Sequence, residues 1–242
     1  MTPILRTLTR LCGIAVLSLT AGCVMTGGPG AGRVSGVYPL SGKPLPAGLP
    51  LVTVAARMEP VAEFACAEAR PHAVCDFVIA VDDDPSQPPN AFQTFDSDGR
   101  PVIVFTWALL QAARNSDELA FVLGHEAAHH IAGHIAKREV EARAGAVQAA
   151  TLARTAGMTG AAVRRAAAAG AQVGAQRYSI EYELEADALG ARLAWEAGFD
   201  PMRGAAFFLR LPDPMDHAMS SHPPNAARRA VVQAVVAELE GR

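Results

Sequence analysis

Residues 115–131 of the chain read NSDELAFVLGHEAAHHI, and this stretch decides the expected fold. Asn115 or Ser116 can cap the start of a helix, because either side chain can accept a hydrogen bond from a free backbone N–H. The acids at 117 and 118 suit the positive end of the helix dipole. Apolar residues at helical spacing then lead into a cluster of histidines. We therefore predict a helix that carries these histidines into the core.

The run His125-Glu126-Ala127-Ala128-His129 within this helix is an H-E-x-x-H motif. Residues four apart share one face of a helix, so both imidazoles can reach one metal ion, and Glu126 can reach a water on that ion. Burying two histidines and a glutamate without a function would be costly. The motif predicts one Zn²⁺ per chain, with His125 and His129 as ligands and Glu126 as the catalytic base.

A third ligand is needed, because catalytic zinc usually has three protein ligands and a water. A later predicted helix carries Glu181, Glu183, Glu185 and Asp187. Glu183 and Asp187 share a face, so one carboxylate could bind zinc while the other orients a ligand imidazole. Glu185 is expected to point elsewhere, towards the surface. Spacing does not distinguish Glu181 from Glu183 as the ligand.

His130 and His134 form a second pair four residues apart. On one continuous helix they face away from His125 and His129. We therefore expect them to lie on a polar helix face or to make a core hydrogen bond, rather than to serve the metal.

The first residues predict a lipoprotein signal peptide at 1–22. Arg6 and Arg10 precede an apolar run at 11–19 that is too short to span a bilayer. The sequence up to Cys23 reads LTAGC and resembles a bacterial lipobox, so cleavage would leave Cys23 as a lipidated N-terminus. An ordinary secretory peptide with a later cleavage site is the alternative.

The next segment, residues 23–50, is rich in Gly and Pro and predicts a flexible tether. Residue 24 is Val rather than Asp, and by resemblance this favours the outer over the inner membrane. No later stretch has the apolar length of a membrane span, so the folded domain at 51–242 is expected to be anchored to the membrane rather than to span it.

Cys66 and Cys75 are a closely spaced pair in the domain expected to be exported. An oxidising compartment favours a disulfide between them. Two free buried thiols are the alternative.

The remaining patterns predict a small sheet followed by helices. We expect a helix at 53–70, a strand at 74–81, a hairpin of 91–95 with 101–105, and helices at 179–196, 201–210 and 224–239. Residues 142–176 are dominated by Ala and Gly and predict a helical hairpin. This hairpin could be plain scaffold, a mobile cover over the active site or a surface that rests on the membrane.

The charge of the chain argues against nucleic acid as a partner. Its net charge is -3 and aromatic residues make up 6%. Neither a basic surface for phosphates nor a stacking platform for bases is indicated.

Three elements together resemble the HtpX and CAAX-prenyl-protease family of gluzincin metallopeptidases, over residues 51–242. They are the run at 115–120, the H-E-x-x-H helix, and Glu183-x-x-Ala186-Asp187. Together with the strand and helix patterns above, the resemblance gives the expected fold: an α+β, mainly helical zincin-type domain with a small antiparallel sheet near its N-terminal part. It further implies Glu183 as the third zinc ligand and Asp187 as the residue that supports a ligand.

A late element, Ser221-His222-Pro223-Pro224 followed by Arg228, is similar to an H-P-x-x-x-x-R element of the same family. The resemblance implies that His222 lies near the zinc, where it binds the oxyanion or blocks the metal. The chain departs from the family at Ala128, where Gly is common, at Ile180, where Arg is usual, and at Gly124, where Ala or Ser is typical.

The resemblance is strongest to soluble, exported members. It implies a zinc-dependent endopeptidase of the bacterial periplasm that cleaves misfolded or unassembled envelope proteins. The expected partners are polypeptide substrates and, through the lipid on Cys23, the membrane. One alternative is a zinc-binding chaperone or assembly factor whose peptidase site is silent or self-inhibited. Another is a structural lipoprotein in which the motif arose by chance.

Overall fold

A computed structural model of the chain describes residues 36–177, 179–210 and 223–241. Eight helices and one four-stranded sheet make up these ranges, which confirms the α+β, mainly helical fold class. The helices are Pro50–Ala69 (α1), Trp107–Ala112 (α2), Ser116–Ile131 (α3), His134–Thr155 (α4), Gly160–Gln176 (α5), Ser179–Glu196 (α6), Pro201–Ala205 (α7, continued by a 3₁₀ turn at Ala206–Arg210) and Asn225–Glu240 (α8).

The sheet is mixed, so the prediction of an antiparallel sheet is wrong except for its hairpin. Its strands are Val37–Pro39 (β1), Val78–Asp82 (β2), Ala91–Phe95 (β3) and Pro101–Thr106 (β4), in the order β1-β2-β4-β3. β3 and β4 form the predicted antiparallel hairpin, whereas β2 runs parallel to β1 and to β4. The physical reason lies in the connections. Helix α1 carries the chain from β1 back to the start of β2, and such a crossover makes neighbouring strands parallel.

β1 lies within the segment assigned to the tether. Val37 pairs with Ile79 and Pro39 pairs with Val81, so the folded part begins before residue 51. Because β1 has only three residues in a stretch rich in Gly and Pro, the sequence shows no alternating pattern there. The hydrogen bonds to β2 are what define it as a strand. β2 itself begins at Val78 rather than at 74.

The main core lies between α1, α3 and one face of the sheet. Its fully buried members include Leu51, Met58, Ile79, Phe105 and Leu123. These residues come from α1, β2, β4 and α3. The helix that contains the H-E-x-x-H motif is therefore part of the core.

A disulfide joins Cys66 of α1 to Cys75, with the two Cα atoms 5.7 Å apart. It ties the end of α1 to the segment that leads into β2. Closing a loop of this length contributes about 2–3 kcal/mol in the chain-entropy account.

Helix α3 begins as the capping pattern predicts, and Asn115 is the residue that caps it. The Asn115 side chain accepts a hydrogen bond from the Glu118 backbone N–H at 3.0 Å. Glu118 is itself buried and accepts hydrogen bonds from both terminal nitrogens of Arg210 at 2.6 Å. The start of α3 is thereby held to the 3₁₀ turn after α7.

Helices α3 and α6 cross in backbone contact at Gly124 and Gly190. A Cβ atom at Gly124 would stand 2.7 Å from the Gly190 carbonyl oxygen, and a Cβ at Gly190 would stand 2.7 Å from the His125 backbone nitrogen. Both distances are too short for real side chains. This explains why glycine, and not Ala or Ser, precedes the motif in this chain.

Helices α4 and α5 form the predicted hairpin of small residues, which we call the arm. Its two helices pack mainly on each other, with a turn at 156–159. Their backbones meet at Gly145, Gly170 and Gly174, where a Cβ on Gly145 would lie 2.1 Å from the Gly170 oxygen.

Within the described ranges, no helix combines the length and apolar character needed to cross a membrane.

Replacing Gly190 with Ala is expected to lower the free energy of unfolding by about 1–3 kcal/mol, the usual range for overpacked sites. The loss should appear even though Ala favours a helix over Gly by about 1 kcal/mol, because the added methyl group meets the backbone of α3. Urea unfolding followed by circular dichroism measures the change.

The matched control is Gly241→Ala, where the added Cβ would come no closer than 3.4 Å to another atom. We expect this variant to unfold like the wild type. A Gly190→Ala variant as stable as the wild type would contradict backbone contact between α3 and α6.

Candidate metal centre

Three side chains from α3 and α6 converge on one point. His125 Nε2 and His129 Nε2 are 3.1 Å apart, and they lie 3.5 Å and 3.4 Å from the two carboxylate oxygens of Glu183. The two histidines lie one helical turn apart on α3, and the glycine crossing brings α6 close enough for Glu183 to face them. The structure thus brings together the three predicted ligands.

The donor set fits Zn²⁺. Two ligand atoms of a tetrahedral zinc stand about 3.3 Å apart, given zinc–nitrogen bonds of about 2.0–2.1 Å. The three measured separations, 3.1–3.5 Å, bracket that value. Two nitrogens and a carboxylate at these distances repel one another unless a positive charge lies among them.

Burial lowers the pKa of His125, but hydrogen bonds to Asp187 and Glu183 outweigh burial and raise it to about 10. The centre therefore attracts positive charge.

Asp187 orients the first ligand. Its Oδ1 lies 2.9 Å from His125 Nδ1. Burial opposes the charge on this carboxylate, but hydrogen bonds from His125 and Arg228 outweigh burial and lower the pKa of Asp187. An ionised carboxylate only accepts hydrogen bonds, so His125 Nδ1 keeps its proton, and with a metal ion bound His125 Nε2 presents its lone pair to the metal position.

Arg228 of α8 holds Asp187 in place. It donates from Nε to Oδ2 and from Nη2 to Oδ1, both at 2.7 Å, and its guanidinium lies 3.7 Å from the centre of the Phe208 ring. Asp187 is fully buried, so this two-point ion pair compensates a charge that would otherwise be costly. The sequence indicated only that Arg228 belongs to the late H-P-x-x-x-x-R element. It gave no sign that Arg228 contacts Asp187.

His134 orients the second ligand, and the prediction that it faces away from His129 is wrong. Its Nδ1 lies 2.9 Å from His129 Nδ1, and its Nε2 lies 3.1 Å from Glu185 Oε2. The prediction assumed one continuous helix. Instead α3 ends at Ile131, and Gly133 turns the chain with a φ of 70°, so His134 begins a separate helix.

The hydrogen bonds of His134 set the tautomer of His129. Burial favours the neutral imidazole and lowers the pKa of His134, although its hydrogen bond to Glu185 opposes this shift. His134 Nε2–H donates a hydrogen bond to the Glu185 carboxylate, which leaves His134 Nδ1 to accept from His129 Nδ1–H. His129 Nε2 then presents its lone pair to the metal position, as His125 Nε2 does. The Tyr182 ring stacks on His134 at 4.5 Å and fixes its plane.

His130 is a core residue, in agreement with the expectation of a core hydrogen bond. Its Nε2 lies 2.9 Å from the Val74 carbonyl oxygen, and its ring meets the edges of Phe77 and Phe95. It serves the packing between α3 and the sheet rather than the metal centre.

Glu126 follows the first ligand and is half-buried beside the centre. Burial raises its pKa, and attraction to His125 and His129 opposes the rise. A carboxylate with a raised pKa binds a proton more readily, which suits a general base.

The other predicted residues take no part in the cluster or lie outside the described residues. Glu181 lies exposed on α6 and is not part of the cluster, which leaves Glu183 as the glutamate that faces the histidines. Of the family departures, Ala128 is fully buried in α3 and Ile180 is exposed. His222 and Cys23 lie outside the described residues.

Glu183→Gln is expected to remove most of the bound metal, because the neutral amide is a poor zinc ligand. Metal analysis of the purified protein after dialysis measures the stoichiometry, which should be near one zinc per chain in the wild type. Glu181→Gln, on the same helix but exposed, is the matched control and should keep its zinc. Full occupancy in Glu183→Gln would exclude this residue as a ligand.

His134→Ala should weaken zinc binding by about 10–100-fold, the usual effect of losing a residue that supports a ligand. Competition with a chromophoric chelator gives the affinity. His134→Gln should recover part of it, since an amide oxygen can still accept from His129 Nδ1–H. His72→Ala, at an exposed histidine, is the control. Equal affinity in His134→Ala and the wild type would contradict the role assigned to His134.

The comparisons with known proteins agree with this geometry. The family model described as Peptidase family M48 matches residues 53–236, a range that contains all residues of the centre and its supporting hydrogen bonds. No curated protein matches the chain. The family model covers well over half of the sequence and confirms the resemblance to the HtpX and CAAX-prenyl-protease group. This chain belongs to peptidase family M48, a family of metallopeptidases.

Proposed function

We propose that the chain is a zinc-dependent endopeptidase, with His125, His129 and Glu183 holding one Zn²⁺. The observation that carries the proposal is the convergence of three ligand atoms within 3.1–3.5 Å, each imidazole held by its own hydrogen-bonded partner. A chance cluster of histidines would have no reason to set the tautomer of both rings towards one point.

The chemistry follows from the positions of the side chains. Bound zinc would polarise the scissile carbonyl and lower the pKa of a water. Glu126 takes the proton of the attacking water on a carboxylate oxygen and delivers it to the nitrogen of the leaving amine. Asp187 and His134 keep the two ligand imidazoles in the required tautomer throughout, and Arg228 balances the charge of Asp187. His222 remains proposed as the residue that binds the oxyanion or blocks the metal.

We further propose that the substrates are misfolded or unassembled proteins of the bacterial envelope, and that the enzyme acts in the periplasm while anchored by lipid on Cys23 to the outer membrane. Three features support this proposal. The sequence up to Cys23 resembles a lipobox, the motifs resemble those of exported family members, and Cys66 and Cys75 form a disulfide of the kind that persists in oxidising compartments.

Glu126→Gln is expected to abolish cleavage while zinc stays bound. General-base catalysis contributes typically about 10²–10⁴-fold, and the amide cannot take a proton. Cleavage of casein or of an unfolded envelope protein by purified protein, followed on gels, measures activity, and metal analysis checks the zinc. Glu181→Gln serves as the active control.

Retained proteolysis in Glu126→Gln would refute the proposed base. A wild type that binds zinc but cleaves neither substrate would instead favour the zinc-binding assembly factor. The absence of zinc from the wild type, with no effect of replacing His125, would point to a structural protein.

A further inference from the structure

The distal part of the arm, residues 142–176, takes no part in the centre described above. The arm is tied to the body at its base, where Tyr182 donates a hydrogen bond to Glu141 and Lys137 lies 3.8 Å from Glu185. Further out, α4 and α5 bury only a small cluster of their own, made of Ala150, Ala153 and Val163. The distal arm therefore owes its shape to its own two helices.

The distal arm is basic on an otherwise acidic protein. It contains four arginines (143, 154, 164 and 165) and no Asp or Glu, so its net charge is +4, whereas the whole chain carries -3. Arg143 pairs with Glu139. The other three arginines are exposed and lie within about two turns of the connection between the helices. The end of the arm is thus a patch of positive charge.

The same end carries exposed apolar side chains. Leu152 is 64% exposed and Met158 is 49% exposed, and between the arginines there are mainly Ala and Gly. Burial of Leu and Met in an apolar environment is favourable, so these two side chains gain from a partner that covers them. The exposed residues near the connection between α4 and α5, Leu152, Arg154, Met158, Arg164 and Arg165, are together called the arm tip below.

The composition of the arm tip fits a lipid surface better than a folded partner. Specific protein interfaces combine arginines with large aromatic anchors such as Trp and Tyr in well-packed pockets. The arm tip has arginines but no aromatic side chain, and the Ala and Gly between them offer little to recognise. Apolar side chains surrounded by cations, without anions, are instead typical of segments that lie in the headgroup region of anionic membranes.

We propose that the arm tip rests on an anionic lipid surface, with Leu152 and Met158 in the headgroup region and Arg154, Arg164 and Arg165 paired with lipid phosphates. This inference does not depend on the peptidase chemistry. It adds a protein-borne contact to the membrane, separate from the lipid proposed on Cys23.

Vesicle co-sedimentation of the full chain tests the proposal. We expect binding to vesicles of phosphatidylethanolamine and phosphatidylglycerol to exceed binding to phosphatidylcholine vesicles. The triple change Arg154→Gln, Arg164→Gln, Arg165→Gln should weaken binding to the anionic vesicles at least about tenfold, as should the double change Leu152→Asp, Met158→Asp. The N-terminal residues are the same in every variant, so differences report on the arm.

Two matched controls separate this surface from general effects of charge and polarity. Phe64→Asp replaces an exposed apolar residue of α1, and the triple change Lys43→Gln, Arg114→Gln, Arg203→Gln removes the same charge outside the arm. Both should bind like the wild type, and all variants should keep their zinc and their circular dichroism. The proposal would be overturned if the arm-tip triple variant and the control triple variant lost vesicle binding equally. It would also be overturned if neither variant lost binding.

A local probe gives a second readout. Leu152→Trp should show a blue-shifted fluorescence on addition of the anionic vesicles and should be quenched by brominated lipid. Unchanged emission with vesicles that do bind the protein would show that another surface makes the contact, and would also overturn the proposal.

Discussion

The backbone contact between α3 and α6 is the constraint on which the rest of the site depends. Two helices that carry ordinary side chains pack 8–10 Å apart, whereas Gly124 and Gly190 leave no room for even a methyl group between the backbones. His125 is next to this crossing, and Glu183 lies two turns along α6. A close crossing is what lets a short glutamate side chain reach the histidine nitrogens across two helices.

Around this crossing, the ligands are held by partners from several other elements. His125 is oriented through Asp187 by Arg228 of α8, and His129 is oriented by His134 of α4 and Glu185 of α6. Burying so many polar groups is favourable only when each has its partner, and a half-satisfied network would be worse than an apolar core. The metal centre is therefore a product of the whole helical assembly rather than of the motif alone.

Local patterns predicted the parts of the structure that local forces determine. The cap at Asn115, the apolar spacing of α3, the β3–β4 hairpin and the helical hairpin of the arm all follow from side chains close in sequence. The choice of Glu183 over Glu181 came from the family resemblance, because both occupy the same helix. Three features depend on tertiary contacts and were not predicted: the strand β1, the parallel pairing of β2, and the contact of His134 with His129. In the last case a single glycine turn at Gly133 overrode the helical spacing on which the expectation rested.

That turn places the start of the arm inside the metal centre. Gly133 joins the helix of the ligands to the helix of the arm, and the first residue after it, His134, touches His129. The first residue of a helix 22 residues long therefore belongs to the hydrogen bonds that set the His129 tautomer, while the far end of the same helix lies in the distal arm.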